Sequence, residues 1–404
     1  MPSSSEKIVI VGAGQAGGRA AEALRANGFA GAITMIGDEP HPPYERPQLS
    51  KAMLATRDAA PAYLRTPEEW RQSLDVNLVT ANPAVACDAD RKVVTTGDGR
   101  DFAYDRLLLA TGTRPRRLSI LGDGAPPVHY LRSIEDAVRF RERLRAQARI
   151  VIVGGGVIGL EAACAAVKYG CIVTVVEAEK RLLTRAFPVI VSDVVSAAHR
   201  DRGVEFVFGA TVVGSGPWCI RLSNGRDVPA DEVLVGIGVE SADAMARQIG
   251  LPVNGGIAVD GRGQTEAPGV FCAGDAALQW SRCHDRAIRV ETWANAQNQA
   301  INVAKNMIGQ GVEYTDPPWF WSDQYDLNIQ VVGDLRNADL IQRGRPAEHR
   351  FCVIAVRDGN LVGAICINAA KDMAMLRRLV AMQASVAPGD LESPHYDLRR
   401  ALKQ

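Results

Sequence analysis

Val9-Ile-Val-Gly-Ala-Gly-Gln-Ala-Gly17 and Ile150-Val-Ile-Val-Gly-Gly-Gly-Val-Ile-Gly159 decide the fold. Each follows a run of β-branched apolar residues and opens into an alanine-rich stretch, so each reads as strand, tight turn and helix. The glycines have separate jobs: Gly12 and Gly154 make the turn, Gly14 and Gly156 let the backbone approach a pyrophosphate, and Gly17 and Gly159 let helix pack on strand. The helix N-terminus then offers unpaired N–H groups and a positive dipole end to the phosphates. One such turn is a weak signal. Two, each in strand–turn–helix context, predict an α/β protein with two Rossmann-like dinucleotide-binding domains.

The bulk numbers agree. At 404 residues the chain exceeds one ordinary core, and two or three domains are expected. The 46 basic and 46 acidic residues balance, which argues against nucleic acid or an anionic membrane as the main partner. No apolar run approaches the ~18 residues of a membrane helix. Met1-Pro-Ser-Ser-Ser-Glu6 lacks a basic or signal-like stretch and reads as a short frayed tail before the first strand, so a cytoplasmic protein is expected. The cysteines, at 87, 164, 171, 219, 272, 283, 352 and 366, form no Cys-x-x-Cys and no short-spaced pair. No metal site and no redox dithiol is read from them. Cys164, Cys171 and Cys272 lie in apolar stretches and are expected to be buried, inert thiols.

Along the chain, Arg19–Ala26 continues the first helix and Ala32–Ile36 is the second strand. Asp38 stands near where an acid grips a ribose 2′-OH, although Glu39 competes and a turn-capping role is the alternative. In the proline-rich stretch His41–Lys51, Arg46 and Lys51 are cations that a flavin pyrophosphate and ring edge would attract; composition alone makes them solvated loop charges. Asn77–Val85 and Arg91–Thr96 read as strands, with a hairpin turn at Gly97-Asp-Gly99. Tyr104–Gly112 is a buried strand ending in the turn Thr111-Gly112, where backbone comes close to a ligand. Arg114–Arg117 is a linker leaving the first domain, and Ser133 caps a helix.

In the second domain the helix is Leu160–Tyr169 and the next strand, Ile172–Glu177, ends in an acid at ribose spacing. Glu177 would repel a 2′-phosphate, which favours NAD over NADP despite Lys180, Arg181 and Arg185 nearby. Strands follow at Val204–Phe208, Cys219–Leu222 and Val233–Ile237, and Gly236-Ile-Gly238 closes the domain. Beyond Gly256, Thr265–Asp275 is a short strand ending in Gly-Asp and Glu291–Met307 is helical. Ile329–Val332, Phe351–Val356 and Leu361–Ile367 are strands, and a last helix at Ala374–Met382 leads to a loop; this portion reads as an α+β domain.

The chain resembles, over nearly its full length, the FAD- and NADH-dependent ferredoxin reductases that feed bacterial ring-hydroxylating dioxygenases and cytochromes P450. The likeness rests on Gly12–Gly17, Arg46–Lys51, Ala110–Gly112, Leu131–Asp136, Gly154–Glu161, Ala273–Asp275, Arg289–Asn295 and Pro318–Gln324. Gln48 departs from a proline common in that family. The resemblance implies a discontinuous FAD-binding domain (1–115 and 245–320), an inserted NAD-binding domain (116–244) and a C-terminal α+β domain (321–404). It implies that Ala16, Asp38, Lys51, Val85, Arg132 and Asp275 contact FAD, with Lys51 toward the flavin ring, and puts Trp293 on the flavin side. It puts Val157, Ile158, Glu161, Glu177, Gly238, Glu291 and Trp321 along the NADH path. Lys51 and Glu161 are the catalytic candidates. For Glu161 the alternative is an acid favouring its own helix dipole; for Trp293 and Trp321 it is core packing.

The partner implied is a [2Fe–2S] ferredoxin, docked through basic residues among which Arg65, Arg114, Arg286 and Arg289 are candidates; a monomer or weak homodimer is expected. A disulfide reductase needs a cysteine near the flavin, and 40–60 contains none. A reductase of rubredoxin or monodehydroascorbate, or a redox-gated interaction flavoprotein resembling apoptosis-inducing factor, shares the same motifs.

Overall fold

The computed structural model describes residues 5–119 and 124–403. They divide into two compact units. The first contains the residues up to Arg46 with Pro61–Arg114 and Glu240–Pro318; the second contains Pro47–Ala60, Pro115–Val239 and the chain from Trp319 onward. Most of the expected tail at Met1–Glu6 lies outside the described residues.

The first unit is built on a five-stranded parallel sheet in the order Val270–Cys272, Arg106–Leu109, Lys7–Val11, Ala32–Ile36, Val76–Val79. Its central strand is apolar from Ile8 to Val11 because both faces are covered there. Ile8 and Ile10 pack with the helices Gln15–Ala26 and Trp293–Met307, while Val9 and Val11 pack with Val94, Tyr104 and Met245. A three-stranded antiparallel sheet, Ala84–Asp88, Val93–Thr96 and Asp101–Ala103, precedes the return strand Arg106–Leu109.

The second unit repeats this plan. Its parallel sheet runs Glu205–Phe208, Ile172–Glu177, Arg149–Val153, Glu232–Val235, Val128–His129, and the antiparallel trio Val212–Gly216, Cys219–Leu222 and Asp227–Pro229 precedes the return strand. The same unit carries a five-stranded antiparallel sheet ordered Trp319–Gln324, Leu327–Gly333, Asn360–Ile367, Arg350–Arg357, Asp339–Arg345. Alternate residues face opposite ways. Phe351, Val353 and Ala355 join Phe187 and Val191, whereas Cys352, Ile354 and Val356 join Met373 and Leu376 of the helix Ala370–Met382.

Several expectations need correction. Asn77–Val85 is not one strand: Val76–Val79 closes the parallel sheet and Ala84–Asp88 opens the antiparallel one. Ala81 has φ of 53° between them, and Pro83 has no N–H to continue a ladder. Trp319–Gln324, Asp339–Arg345 and the hairpin of Ala277–Ser281 with Arg286–Arg289 are strands that the sequence reading passes over. Ala370–Met382 is not the last helix, since Pro388–Glu392 and the 3₁₀ turn Leu398–Lys403 follow. Arg343 clasps that tail: its guanidinium donates to the carbonyls of Leu391 (3.4 Å), Ser393, Pro394 (3.3 Å) and Tyr396 (2.9 Å).

The cysteine expectations also change. Cys352 and Cys366 form a disulfide, being direct partners on neighbouring strands with Cα atoms 4.1 Å apart. A hairpin, not a short spacing, brings them together. Cys272 is buried as expected, but Cys164 and Cys171 are only half-buried; burial still pushes the Cys164 thiol up to about 12.

Candidate functional site

In the first unit Gly12 has φ of 113° and lies against the carbonyl of Ala110, a conformation and a contact that exclude a side chain. Gly14 caps the helix Gln15–Ala26 with extended backbone and no side-chain hydrogen bond, so the first N–H groups stay open. Arg46 stands at this end, its guanidinium 3.7 Å from where a Gly14 Cβ would lie. Arg46 donates to Glu39 Oε1 at 2.5 Å and to the Tyr44 hydroxyl at 3.0 Å. Burial opposes its charge, but Tyr44, Glu39 and Asp38 outweigh that and hold its pKa above the ordinary value. Helix N-terminus and guanidinium together make a site for an anion.

Gln15, the first helical residue, is 6% exposed, and neither Nε2 nor Oε1 finds a partner among the described residues. Buried polar atoms are rarely left so. This amide and the open cradle beside it fit a dinucleotide in the first unit. Gly37 takes the register position that Glu177 holds in the second unit, and a Cβ there would meet Ala13 Cβ at 2.6 Å. The acid next along, Asp38, is exposed, whereas Glu39 is engaged by Arg46 and Tyr44. Val85 is the extra residue of a bulge in Ala84–Asp88, which frees its backbone from the ladder. Thr111 Oγ1 donates to the Ala242 carbonyl at 2.6 Å, and Gly112 has φ of 67°. Asp275 lies in the turn Gly274–Ala276, where Gly274 N–H donates to Gln299 Oε1 at 2.8 Å and Gly274 Cα passes close to Ala16. Glu291 pairs with Arg289 at 2.6 Å, and Trp293 begins the helix Trp293–Met307.

The second unit repeats the cradle with Gly154 at φ of 109°. Gly156 caps the helix Val157–Lys168, and among the described residues no atom beyond its immediate chain surroundings lies within 4 Å of where its Cβ would stand. Ile158 on the first turn is 48% exposed, while Val157 is half-buried and Gly159 abuts the turn carbonyl of Gly154. Glu177 accepts from Gly155 N–H at 2.7 Å and Glu179 N–H at 2.8 Å, which fixes the carboxylate at the strand end. Arg181 donates to Ser192 Oγ at 2.6 Å and so is tied to the fold, while Lys180 and Arg185 are exposed. Gly238 has φ of 102°, and its carbonyl accepts from Arg116 N–H. An open N-terminus and a fixed acid fit a dinucleotide here as well.

The catalytic candidates meet in this unit. Glu161, 5% exposed, is the fifth residue of its helix, and its carboxylate is not turned on its own N–H groups. It accepts from Lys51 Nζ at 2.5 Å, Ser50 Oγ at 2.5 Å and Ser322 Oγ at 2.6 Å. Lys51 also lies 3.6 Å from Asp323 and 5.9 Å from the centre of the Trp321 ring, which stacks on Trp319. Lys51 precedes the short helix Ala52–Ala55, and the carbonyls of Met53 within it and of Thr56 just beyond it take hydrogen bonds from Arg141. Arg132 belongs to this unit, beside the helix Ile134–Arg143 that Ser133 caps with Asp136 in a reciprocal box.

Gln15, Ser50, Gln299 and Ser322 are residues that the sequence reading missed. Ser50 and Ser322 lie inside stretches that it quoted, but a buried carboxylate in need of donors is visible only in three dimensions.

Residues 6–300 match the family described as pyridine nucleotide-disulphide oxidoreductase, and 319–402 match the reductase C-terminal domain. The chain is 44% identical to the p-cumate 2,3-dioxygenase system ferredoxin–NAD(+) reductase component of Pseudomonas putida, over 97% of this chain and 98% of that protein. It is 36% identical to the anthranilate 1,2-dioxygenase system ferredoxin–NAD(+) reductase component of Burkholderia cepacia, over 99% and 100%. Among solved structures, the covalent putidaredoxin reductase–putidaredoxin complex matches with a TM-score of 0.95 and 34% identity, over 99% of each chain. The chain belongs to the pyridine nucleotide-disulphide oxidoreductase family, among its FAD- and NADH-dependent ferredoxin reductases.

Proposed function

We propose that this chain passes electrons from NADH through FAD to a [2Fe–2S] ferredoxin that serves a ring-hydroxylating dioxygenase or a cytochrome P450. The observation that carries the reading is the repeated glycine cradle, one per unit, together with a Lys51–Glu161 pair. Relatives that are ferredoxin–NAD(+) reductase components of dioxygenase systems support the choice of acceptor. FAD, when bound, takes a hydride from NADH and releases electrons singly, which suits a one-electron acceptor.

The chain's own residues bind and orient. In the first unit Gly12, Gly14 and Gly17 hold the helix end open to a pyrophosphate, Arg46 neutralises it, and Asp38 offers a carboxylate to a ribose. In the second, Gly154, Gly156 and Gly159 do the same for NADH, with Glu177 on the ribose. Glu161 holds the Lys51 ammonium in place, and the positive end of this pair would favour a ring that gains negative charge on reduction. Of the proposed docking arginines, Arg289 is committed to Glu291 and Arg65 to Glu22 at 2.6 Å. Arg286 and Arg114 are exposed, Arg114 with only a loose 3.9 Å approach to the exposed Glu240, and we assign contact with an acidic ferredoxin to them. A monomer or weak homodimer in the cytoplasm, where NADH is made, completes the proposal.

The test is anaerobic stopped-flow reduction by NADH, followed by mixing with a panel of [2Fe–2S] ferredoxins and with rubredoxin. Rapid bleaching, then rapid reoxidation by one ferredoxin, is the expected result. Rapid bleaching with no fast acceptor would overturn the electron-transfer role in favour of redox-gated binding.

A further inference from the structure

Behind Glu161 runs a buried polar chain with no part in the chemistry so far. Ser322 Oγ touches Glu161 Oε1 at 2.6 Å, and Gln324 Nε2 lies 3.1 Å from Ser322 Oγ. Gln324 Oε1 lies 3.0 Å from His199 Nε2, and the Tyr325 hydroxyl lies 3.2 Å from His199 Nδ1. Ser322, Gln324 and His199 are each 0% exposed, so solvent supplies none of their partners. Ser322 and Gln324 alternate on the strand Trp319–Gln324 and therefore share a face.

The hydrogens follow from the carboxylate end. Glu161, paired with the Lys51 ammonium, only accepts, so Ser322 donates to it and accepts from its other neighbour. Gln324 must turn its NH₂ toward Ser322 and its carbonyl toward His199. That carbonyl only accepts, which places the imidazole proton on Nε2. Burial lowers the His199 pKa to about 4, so the ring is neutral and bare Nδ1 accepts from Tyr325. Every donor points toward Glu161. The titratable groups facing His199 are Cys164 Sγ at 4.0 Å, Tyr325 and Arg202, which lies 4.3 Å from the Tyr325 ring; those facing Glu161 are Lys51, Cys164 on the same helix and, beyond Lys51, Asp323. The amide in the middle passes no proton, so the chain aligns dipoles and locks rotamers.

We propose that Tyr325, His199, Gln324 and Ser322 form a positioning relay whose aligned hydrogen bonds hold the Glu161 carboxylate on Lys51 and so set where the ammonium stands. Only the kinetic arm of its test rests on the oxidoreductase reading. Nitrogen-15 NMR of imidazole-labelled, flavin-free protein reads the tautomer directly. A single Nε2–H form of His199 at pH 7, unprotonated down to about pH 5, is expected. An Nδ1–H form, or titration near 6.5, overturns the relay. In the FAD-loaded enzyme, Ser322→Ala and Gln324→Leu should each slow NADH-driven flavin bleaching about tenfold, with KM for NADH within about twofold. The double variant should be no slower than the worse single, because both cut one chain, and Ser322→Thr should restore the rate. Additive slowing, or an effect on KM alone, overturns the relay. If the wild type is not reduced by NADH at all, the functional reading fails and the tautomer decides the relay by itself.

Discussion

Gly14 and Gly156 differ in kind from the glycines around them. Gly12, Gly17, Gly154 and Gly159 are fixed by the fold, since a Cβ on any of them meets backbone. Gly156 has ordinary extended backbone and empty space around its missing Cβ. Gly156→Ala should therefore leave the melting temperature of the apoprotein almost unchanged, yet raise KM for NADH on the order of tenfold because the methyl stands where the pyrophosphate goes. An equal loss of stability and affinity would show that the space belongs to the fold. The sequence shows these glycine jobs because turn, approach and packing are local. The partners of Glu161 are not local: Lys51 and Ser322 are 110 and 161 residues away. No spacing rule reaches them. Gly37 shows the same limit, because only the register of two strands reveals that it stands where Glu177 does and that a side chain there would strike Ala13.

Among elements, the helix Val189–Arg200 carries the clearest pH dependence. Its His199 is held at about 4, against a value near 6.5 in the unfolded chain, so the unfolded state takes up the proton first. That contribution is complete above pH 6.5 and is lost as pH falls through about 4, a change of roughly 3 kcal/mol. Urea midpoints at pH 7 and pH 4.5 should fall more steeply for the wild type than for His199→Gln. Parallel curves would mean that the imidazole titrates freely. The helix Ile134–Arg143 offers a second check. Ser133→Ala removes its capping box and should cost about 1 kcal/mol, measured as a shift in urea midpoint without a change in slope. Sequence reading found this cap because cap and first turn are adjacent. It found Phe351–Val356 and Leu361–Ile367 because strands covered on both faces are continuously apolar. It passed over Trp319–Gln324 and Asp339–Arg345, the two edge strands, where charged and polar residues break the run although every residue is in register with a neighbouring strand on one side.

For the molecule as a whole, the question is which groups carry electrons. The disulfide Cys352–Cys366 lies in the core between the C-terminal sheet and the helix Ala370–Met382. Replacing both cysteines by alanine should leave NADH-driven flavin reduction and ferredoxin turnover within about twofold, while lowering the melting temperature by a few degrees through lost packing. Turnover that vanishes with the pair would instead make it a redox centre. The two-cradle architecture was legible from end to end because its signal is written twice. The C-terminal tail was not, because Arg343 holds it by main-chain carbonyls, which every residue type possesses. Over evolutionary time this asymmetry gives the two sides of the clasp different freedoms. The exposed side chains of Glu392, Pro394 and His395 can drift among relatives without loosening the tail, whereas Leu391 is held in the core and Arg343 is held by the four carbonyls it grips.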